Sequence, residues 1–288
     1  MPMGSLLHPA SVEEAAALLA ADGDGRCLAG GATLVAMMNA RLVTPGRLVS
    51  LAGIEELRGI MSTAEGGLRI GAMTRHGETA SDIRLAGSAA VIRRAAGQIA
   101  NPVIRNMGTI GGSIAFADPA ADYPPALVAA AAEIEIAGRQ GRRRVKAEDF
   151  FVDWYLTALE ADEIVTAVLV PPALKNSYGR YHKLARVSGD FATASVALCL
   201  AVDAGRVTAF RLAVGGCGPT PVRSAAVEST LVGAPLAALD PTELGAALAA
   251  AADPVDDVRA SAAYRRLVIP RLVRQAVTEA VAALGGAA

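Results

Sequence analysis

One stretch of this sequence indicates both its fold and its chemistry: NPVIRNMGTIGGS at residues 101–113, which continues through IAFADPAAD to Asp122. Three glycines fall within five residues of it, and Thr109 and Ser113 flank two of them. Glycine lets backbone amides approach a ligand closely, and consecutive amides with hydroxyls beside them form a concavity that binds anions. The stretch therefore predicts a diphosphate site, with a purely structural turn as the alternative.

A second glycine motif, RCLAGGATLVAMM at residues 26–38, favours the diphosphate interpretation. An apolar run meets Gly30-Gly31, then Thr33, then apolar residues at helical spacing, which predicts a strand, a tight turn and a helix. The N-terminus of such a helix attracts phosphate through its free N–H groups and its dipole. We therefore expect the two turns to hold one diphosphate. Neither motif has the Gly-x-Gly-x-x-Gly pattern of Rossmann sites or the P-loop pattern of nucleotide triphosphatases.

Together with Asp122, these motifs resemble those of the FAD-binding (medium) subunit of the molybdenum hydroxylases, the family of the carbon monoxide dehydrogenase and xanthine dehydrogenase flavoproteins. The resemblance covers nearly the whole chain, because further family segments follow in the family's order. They include HPASVEEAAALLA at 8–20, LRIGAMTRHGE at 68–78, YHKLARVSGDFA at 181–192 and DPVDDVRASAAYRR at 253–266. The resemblance implies an oxidoreductase flavoprotein that binds FAD.

The resemblance also assigns individual residues to the cofactor. Asp122 would bind a hydroxyl group of FAD, Ile164 would lie by the adenine, and Lys183 would lie near the pyrimidine edge of the flavin. A lysine there is chemically reasonable because reduced flavin carries negative charge near N1 and O2; an ordinary surface lysine is the alternative. The diphosphate would be bound by Leu28, Ala29, Gly30, Gly31, Ala32, Thr33, Leu34, Val35, Thr109, Ile110, Gly111, Gly112 and Ser113.

Two positions depart from the family pattern. Ser113 stands where relatives usually have Asn, and Ala32 stands where many have Thr or Ser. Serine keeps a hydroxyl but lacks the amide donor, so we expect FAD affinity to change. Because backbone amides are expected to make most of the diphosphate contacts, FAD binding should survive. We expect Gly111→Val to abolish it, since the new side chain would block those amides.

The resemblance implies that this chain works with partner subunits in a dimer of heterotrimers. Substrate would be hydroxylated at a molybdopterin centre in a large subunit. Electrons would pass through two [2Fe–2S] clusters in a small subunit to FAD in this chain, and then to an external acceptor. No catalytic residue and no metal ligand is assigned to this chain. The alternatives are a stand-alone FAD-dependent oxidoreductase of the same fold and a cofactor-free scaffold. The substrate (carbon monoxide, a purine, nicotine or another heterocycle) and the acceptor are not indicated.

Composition excludes several other classes of protein. The 288 residues carry 27 basic and 28 acidic side chains, so the net charge of -1 gives no basic face for nucleic acid. No apolar run approaches the roughly 20 residues that span a bilayer, and the N-terminus has no signal-peptide pattern. Three scattered cysteines are too few for an iron–sulfur site or a disulfide framework. We therefore expect a cytoplasmic protein without a membrane span.

The pattern of strands and helices predicts an α+β fold in three parts. Residues 1–55 are expected to form a small parallel βαβ unit that begins the FAD-binding domain. Residues 56–172 would form a second FAD-binding subdomain, with a mixed or antiparallel sheet, helices and the TIGGS motif. After Pro171-Pro172, a plausible boundary, residues 173–288 are expected to form a C-terminal antiparallel sheet with a helix bundle.

Two other features have structural interpretations. Residues 139–144 contain four arginines, and one interpretation is a patch that binds phosphate or nucleic acid. The run sits between two predicted strands and contains glycine, so it is interpreted as a solvated hairpin loop. His76 has no second ligand at a suitable spacing, and it is interpreted as a surface or capping residue.

Overall fold

The computed structural model describes residues 5–21 and 23–285, and within them the chain has the expected α+β architecture. Its strands form one parallel sheet, two antiparallel sheets and one small hairpin. The parallel sheet comes first in the chain and the two antiparallel sheets follow in order. The proposed part boundaries near residues 55 and 172 stay predictions.

The parallel sheet contains β1 (Ser5–Leu7), β2 (Gly25–Leu28) and β3 (Arg47–Ser50), with β3 in the centre. Helix α1 (Val12–Ala20) joins β1 to β2, and α2 (Leu34–Asn39) joins β2 to β3. The predicted strand–helix–strand unit is therefore confirmed, and β1 extends it by one strand. Parallel neighbours need such crossover connections because the chain must return to the same end of the sheet.

The N-terminus of α1 is capped by Ser11 and Glu14. The hydroxyl of Ser11 accepts a hydrogen bond from the N–H of Glu14 at 3.1 Å. In return the Glu14 carboxylate accepts from the N–H of Ala10 at 2.8 Å, one residue before the cap. Both bonds satisfy donors that a helix start would otherwise leave free.

The second sheet is fully antiparallel and has five strands in the order β4-β5-β10-β6-β7. Helix α8 and the β8–β9 hairpin lie between β7 and β10 in the chain. The elements are β4 (Ile60–Ser62), β5 (Leu68–Gly71), β6 (Glu133–Gly138), β7 (Gly141–Lys146), α8 (Ala147–Phe150), β8 (Phe151–Asp153), β9 (Leu156–Thr157) and β10 (Ile164–Val170).

Five helices lie between β5 and β6, and the central glycine motif belongs to them. Its TIGGS portion lies at the start of a helix rather than in an isolated turn: Thr109 is the N-cap and Gly111 and Gly112 are in the first turn. The helices are α3 (His76–Ser81), α4 (Ala90–Gln98), α5 (Pro102–Arg105), α6 (Ile110–Phe116) and α7 (Tyr123–Ala129).

The C-terminal sheet contains β11 (Ser177–Leu184), β12 (Ala194–Asp203) and β13 (Arg206–Gly215), all antiparallel. A tight turn joins β12 to β13, with positive φ at both Ala204 and Gly205, the signature of a two-residue hairpin. Three helices follow it: α9 (Ala225–Leu231), α10 (Thr242–Ala251) and α11 (Ala262–Gly285).

Both faces of the C-terminal sheet are covered. On β12 the larger apolar side chains, Val196, Leu198 and Leu200, belong to the core shared with α10 and α11. The smaller ones, Ala197 and Cys199, belong to the core shared with the first two sheets and with α4 and α7. Alternate residues of a strand point to opposite faces, so the small side chains let the helices of the glycine motif approach this sheet closely.

The arginine run lies on the solvent-exposed β6–β7 hairpin, as its sequence suggested, but the loop is shorter than expected. The turn is confined to Arg139 and Gln140, and the other three arginines lie on strand β7. There Arg143 bonds Glu163 at 2.7 Å, and Arg142 contacts Glu13 and Glu56 at 3.1 and 2.8 Å. Carboxylates far away in the sequence pair with these two side chains, which local patterning does not reveal.

Candidate functional site

The two glycine motifs are in direct contact. If Gly30 carried a Cβ atom, that atom would lie 1.9 Å from the carbonyl oxygen of Met107, so only glycine allows the first motif to approach the second this closely. A Cβ on Gly112 would lie 3.5 Å from the Cβ of Ala29. The sequence predicted that both motifs serve one site, and the fold brings them together.

The first motif presents a run of free backbone donors. None of the N–H groups from Ala29 to Leu34 donates a hydrogen bond to a described residue. Gly31 has a φ of +75°, a conformation that glycine adopts without strain, and its carbonyl accepts the N–H of Val35 at 3.0 Å. Helix α2 begins here and has no buried residue. Unpaired amides at a helix start can bind an anion.

Most amides of the second motif donate hydrogen bonds within the protein, which the sequence did not indicate, and their contact with the diphosphate stays a prediction. The N–H of Ile110 donates to the carbonyl of Thr74 at 3.0 Å, and that of Gly111 donates to the carbonyl of Ala72 at 2.9 Å. A Cβ on Gly111 would lie 2.5 Å from the Cβ of Ala72. Gly111 is therefore required for packing α6 against the residues after β5, and its missing side chain faces the protein interior.

The second motif presents the hydroxyl groups of Thr109 and Ser113 and the exposed Gly112. The Thr109 hydroxyl caps α6 by accepting the N–H of Gly112 at 3.1 Å, and its own hydrogen has no acceptor among the described residues. The hydroxyl of Ser113 is half-buried and likewise has no partner in the described part of the chain. Gly112 is exposed and lies against the first motif.

His76 is buried and hydrogen-bonded to the central motif. Its N–H donates to the carbonyl of Gly108 at 3.0 Å, and its Nδ1 lies 3.2 Å from the Tyr123 hydroxyl. Burial and the nearby Arg105 guanidinium lower the pKa of His76 to about 4. His76 begins α3 but is buried, so its interpretation as a surface residue is wrong. Only its position after an apolar strand hinted at burial.

Asp122 and Lys183 form a buried ion pair. The Lys183 Nζ lies 3.0 and 3.2 Å from the two carboxylate oxygens of Asp122 and donates to the carbonyl of Gln98 at 2.7 Å. The Tyr181 hydroxyl donates to the same carboxylate at 2.7 Å. Burial raises the pKa of Asp122, while Lys183 and Tyr181 act in the opposite direction. The surface-lysine alternative for Lys183 is therefore excluded, because its side chain is only 4% exposed.

The sequence did not indicate the roles of Gln98 and Tyr181 in this ion pair. Tyr181 is fully buried in the sheet, whereas Phe191 is exposed, with the Arg259 guanidinium 5.3 Å from its ring centre. Ile164 begins β10, and its side chain is buried in the core of the first two sheets. Any contact of Ile164 with adenine would therefore come from its backbone.

Three sets of groups offer hydrogen-bond donors or positive charge to an anionic cofactor. They are the free amides of the first motif, the hydroxyls of Thr109 and Ser113, and the ammonium group of Lys183. The three cysteines are free thiols. Within residues 5–21 and 23–285, no helix combines the length and apolar character needed to cross a bilayer.

Comparison with known proteins gives matches along nearly the whole chain. A family model described as the FAD binding domain in molybdopterin dehydrogenase matches residues 2–173, and one described as the CO dehydrogenase flavoprotein C-terminal domain matches residues 179–280. The chain is 38% identical to the carbon monoxide dehydrogenase medium chain of Afipia carboxidovorans over 281 residues, which cover 96% of both chains.

Two further relatives agree. The chain is 35% identical to the nicotine 6-hydroxylase medium subunit of Paenarthrobacter nicotinovorans over 280 residues, covering 97% of this chain and 98% of that one. A crystal structure of the Cu,Mo-CO dehydrogenase contains a similar chain, with a TM-score of 0.91 at 35% identity over 97% of this chain and 98% of that chain. The chain therefore belongs to the family of FAD-binding flavoprotein subunits of the molybdopterin dehydrogenases, and it is an oxidoreductase component.

Proposed function

We propose that this chain carries FAD in a heterotrimeric molybdenum hydroxylase, accepting electrons from [2Fe–2S] clusters of a partner subunit and passing them to an external acceptor. The observation that carries the proposal is the contact between the two glycine motifs, with a run of unpaired amides from Ala29 to Leu34. Such unpaired amides at the start of α2 are available to an anion.

The chain's own residues have distinct roles in this proposal. The amides between Ala29 and Leu34 bind the diphosphate, and the hydroxyls of Thr109 and Ser113 donate to it from the other side. Leu28 and Val35 flank the amides, and the positive end of α2 adds to the attraction. Because the diphosphate donors are mainly amides of the first motif, Ala32 in place of a hydroxyl residue removes only one side-chain contact.

Lys183 holds a positive charge where the flavin ring would lie. The two carboxylate oxygens of Asp122 and the Gln98 carbonyl contact its ammonium group, and the Tyr181 hydroxyl bonds the same carboxylate, so the charge is in place before any ligand binds. We propose that Asp122 acts on FAD mainly through Lys183, because its carboxylate is buried and already bonded. Bound FAD would supply the capacity to accept and release electrons, and a fixed cation beside the pyrimidine edge stabilises the negative charge of the reduced ring.

The partner subunits follow from what this chain lacks and from its relatives. A [2Fe–2S] cluster takes four protein ligands, usually cysteines, and the whole sequence has three cysteines, all of them free thiols. Relatives of the same length are named as medium subunits or medium chains. We therefore propose a large molybdopterin subunit and a small iron–sulfur subunit as partners. The dimer of heterotrimers rests on the family resemblance alone.

The first test is the visible absorption spectrum of the purified chain, followed by acid release and chromatography of the bound material. The proposal expects FAD at about one per chain. A colourless chain that also fails to take up added FAD would overturn it.

A second test addresses the partners. Affinity purification of the tagged chain from its native cells should yield two further subunits together with molybdenum and iron. Substrate oxidation by this chain alone, without partners, would instead support a stand-alone oxidoreductase.

A further inference from the structure

Helix α2 and the segment after it carry apolar side chains that the protein does not bury. The helix has the sequence LVAMMN, and none of its residues is buried; Leu42, shortly after it, is 72% exposed. A helix with apolar side chains normally turns them toward a core. Here no residue from Leu34 to Val43 belongs to either hydrophobic core of the described chain, and no described helix or strand packs extensively against α2.

Backbone hydrogen bonds fix the end of α2, so Leu42 has a defined position. The N–H of Leu42 donates to the carbonyl of Met37 at 2.9 Å, and that of Arg41 donates to the carbonyl of Met38 at 3.0 Å. This pair of bonds is the Schellman motif, whose turn residue is usually glycine. Arg41 takes that place with a φ of +59°, a conformation that is unfavourable for a residue with a Cβ atom. The chain therefore tolerates backbone strain where it presents Leu42 to solvent.

The unburied side chains of Met37, Met38, Leu42 and Val43 are called the α2 surface below. These four residues follow the stretch from Leu28 to Val35 that is assigned to the cofactor. The six residues of α2 span about 9 Å, with the free amides at the start of the helix and the α2 surface toward its end. The α2 surface is therefore next to the diphosphate donors without being one of them.

The segment that contains the α2 surface carries charge of one sign. From residue 25 to residue 54 the sequence has three arginines, Arg26, Arg41 and Arg47, and no acidic residue. Arg26 and Arg41 are exposed, and neither forms an ion pair with a described carboxylate. Interfaces pair a positive surface with a negative one. The α2 surface therefore fits a protein partner whose apolar contact residues are flanked by carboxylates.

We propose that the α2 surface is the docking site of the small iron–sulfur subunit. The inference rests on the proposed function, in which electrons enter FAD only from that subunit, so it has to lie against the cofactor site. The large subunit passes its electrons through the small one and has no such requirement. Grouped exposed apolar side chains mark sites of protein–protein contact, and methionine side chains adapt to the shape of a partner.

Docking can be measured with the full chain and the rest of the complex. The affinity of the purified chain for the purified assembly of large and small subunits is determined by biolayer interferometry. We expect Met38→Glu and Leu42→Glu each to weaken binding at least about tenfold, because each places a carboxylate in an apolar contact flanked by the partner's own carboxylates.

Photocrosslinking identifies the subunit that docks. With p-benzoylphenylalanine in place of Leu42, irradiation of the assembled complex should join this chain to the small iron–sulfur subunit. A crosslink to the large subunit, or to a second copy of this chain, would overturn the assignment.

Ile83→Glu serves as the control for the two acidic variants. Ile83 is 79% exposed, but it stands between Asp82 and Arg84, whose side chains bond each other. It is thus a single exposed apolar residue between paired charges. Because substitutions at such surface positions have small effects, we expect Ile83→Glu to change the affinity by less than about twofold.

The remaining outcomes separate this inference from the proposed function. Wild-type affinity in Met38→Glu and Leu42→Glu, or equal weakening by Ile83→Glu, would overturn the docking site. Flavin content and melting temperature of both variants should match the wild type, and a loss of flavin would place the α2 surface in the cofactor site instead. A wild-type chain that binds FAD but neither subunit would overturn the proposed heterotrimer itself.

Discussion

Gly30→Ala tests whether the contact between the two motifs creates the binding site. The alanine Cβ would lie 1.9 Å from the Met107 oxygen and 2.7 Å from its carbonyl carbon. Ordinary contacts between such atoms are near 3.5 Å, so the two loops must separate by roughly 1.5 Å. Hydrogen bonds to phosphate oxygens extend only to about 3.2 Å. A shift of this size therefore breaks the hydrogen bonds that one of the two motifs makes to the diphosphate.

The expected loss follows from those bonds. A hydrogen bond to a charged group contributes about 1.5–3 kcal/mol, and losing two of them weakens FAD binding by about 3 kcal/mol or more, which is at least about 100-fold. The assay is the FAD content after desalting, together with titration of the flavin-free chain with FAD followed by flavin fluorescence.

Gly53→Ala is the matched control for Gly30→Ala. Gly53 lies in the same N-terminal part, and its added Cβ would be in ordinary contact with the Pro9 oxygen at 3.5 Å. We expect it to keep wild-type flavin content. If Gly30→Ala also retained FAD with unchanged affinity, the reasoning that the two motifs grip one diphosphate would be refuted.

Gly111→Val should lose folded stability as well as flavin, because its side chain collides with Ala72 inside the protein; a normal melting temperature with flavin lost would contradict this. Lys183→Met should destabilise the flavin-free chain by about 3 kcal/mol in urea unfolding, because it leaves the Asp122 carboxylate buried without its partner. Adding Asp122→Asn should restore part of this loss. If Lys183→Met were as stable as the wild type, that would be evidence against the buried pair. His76 is held neutral when folded, with its pKa lowered to about 4, so the unfolded chain binds more protons between pH 6.5 and 4. Stability should therefore fall as pH is lowered through that window, by up to about 3 kcal/mol from this residue, and His76→Gln should show a smaller fall in urea unfolding at pH 7.5 and 5.

Much of the local structure could be predicted because it depends on nearby residues. The Ala204-Gly205 pair between two apolar runs is typical of a tight turn, which joins β12 to β13. Ser11 with Glu14 indicated the start of α1. The two glycine motifs indicated where backbone would approach a ligand or another backbone, because glycine alone has no Cβ to prevent it.

The functions of individual groups within the motifs were less predictable. Gly111 belongs to a motif that suggests ligand binding, yet its amide donates to Ala72 and its missing side chain faces the interior. The arginines from Arg142 to Arg144 looked like a loop, but they lie on a strand whose carboxylate partners come from other parts of the chain. In both cases the deciding partner is distant in sequence.

The sequence by itself determined the family, the order of strands and helices, and the two stretches that lack side chains where backbone must come close. Only the tertiary structure decided which amides remain free, that Asp122 is bonded to Lys183 and Tyr181, and that the α2 surface lies outside both hydrophobic cores. The physical reason is that hydrogen-bond saturation and burial depend on contacts between residues far apart in the chain, and such contacts leave no periodic or local pattern in one sequence.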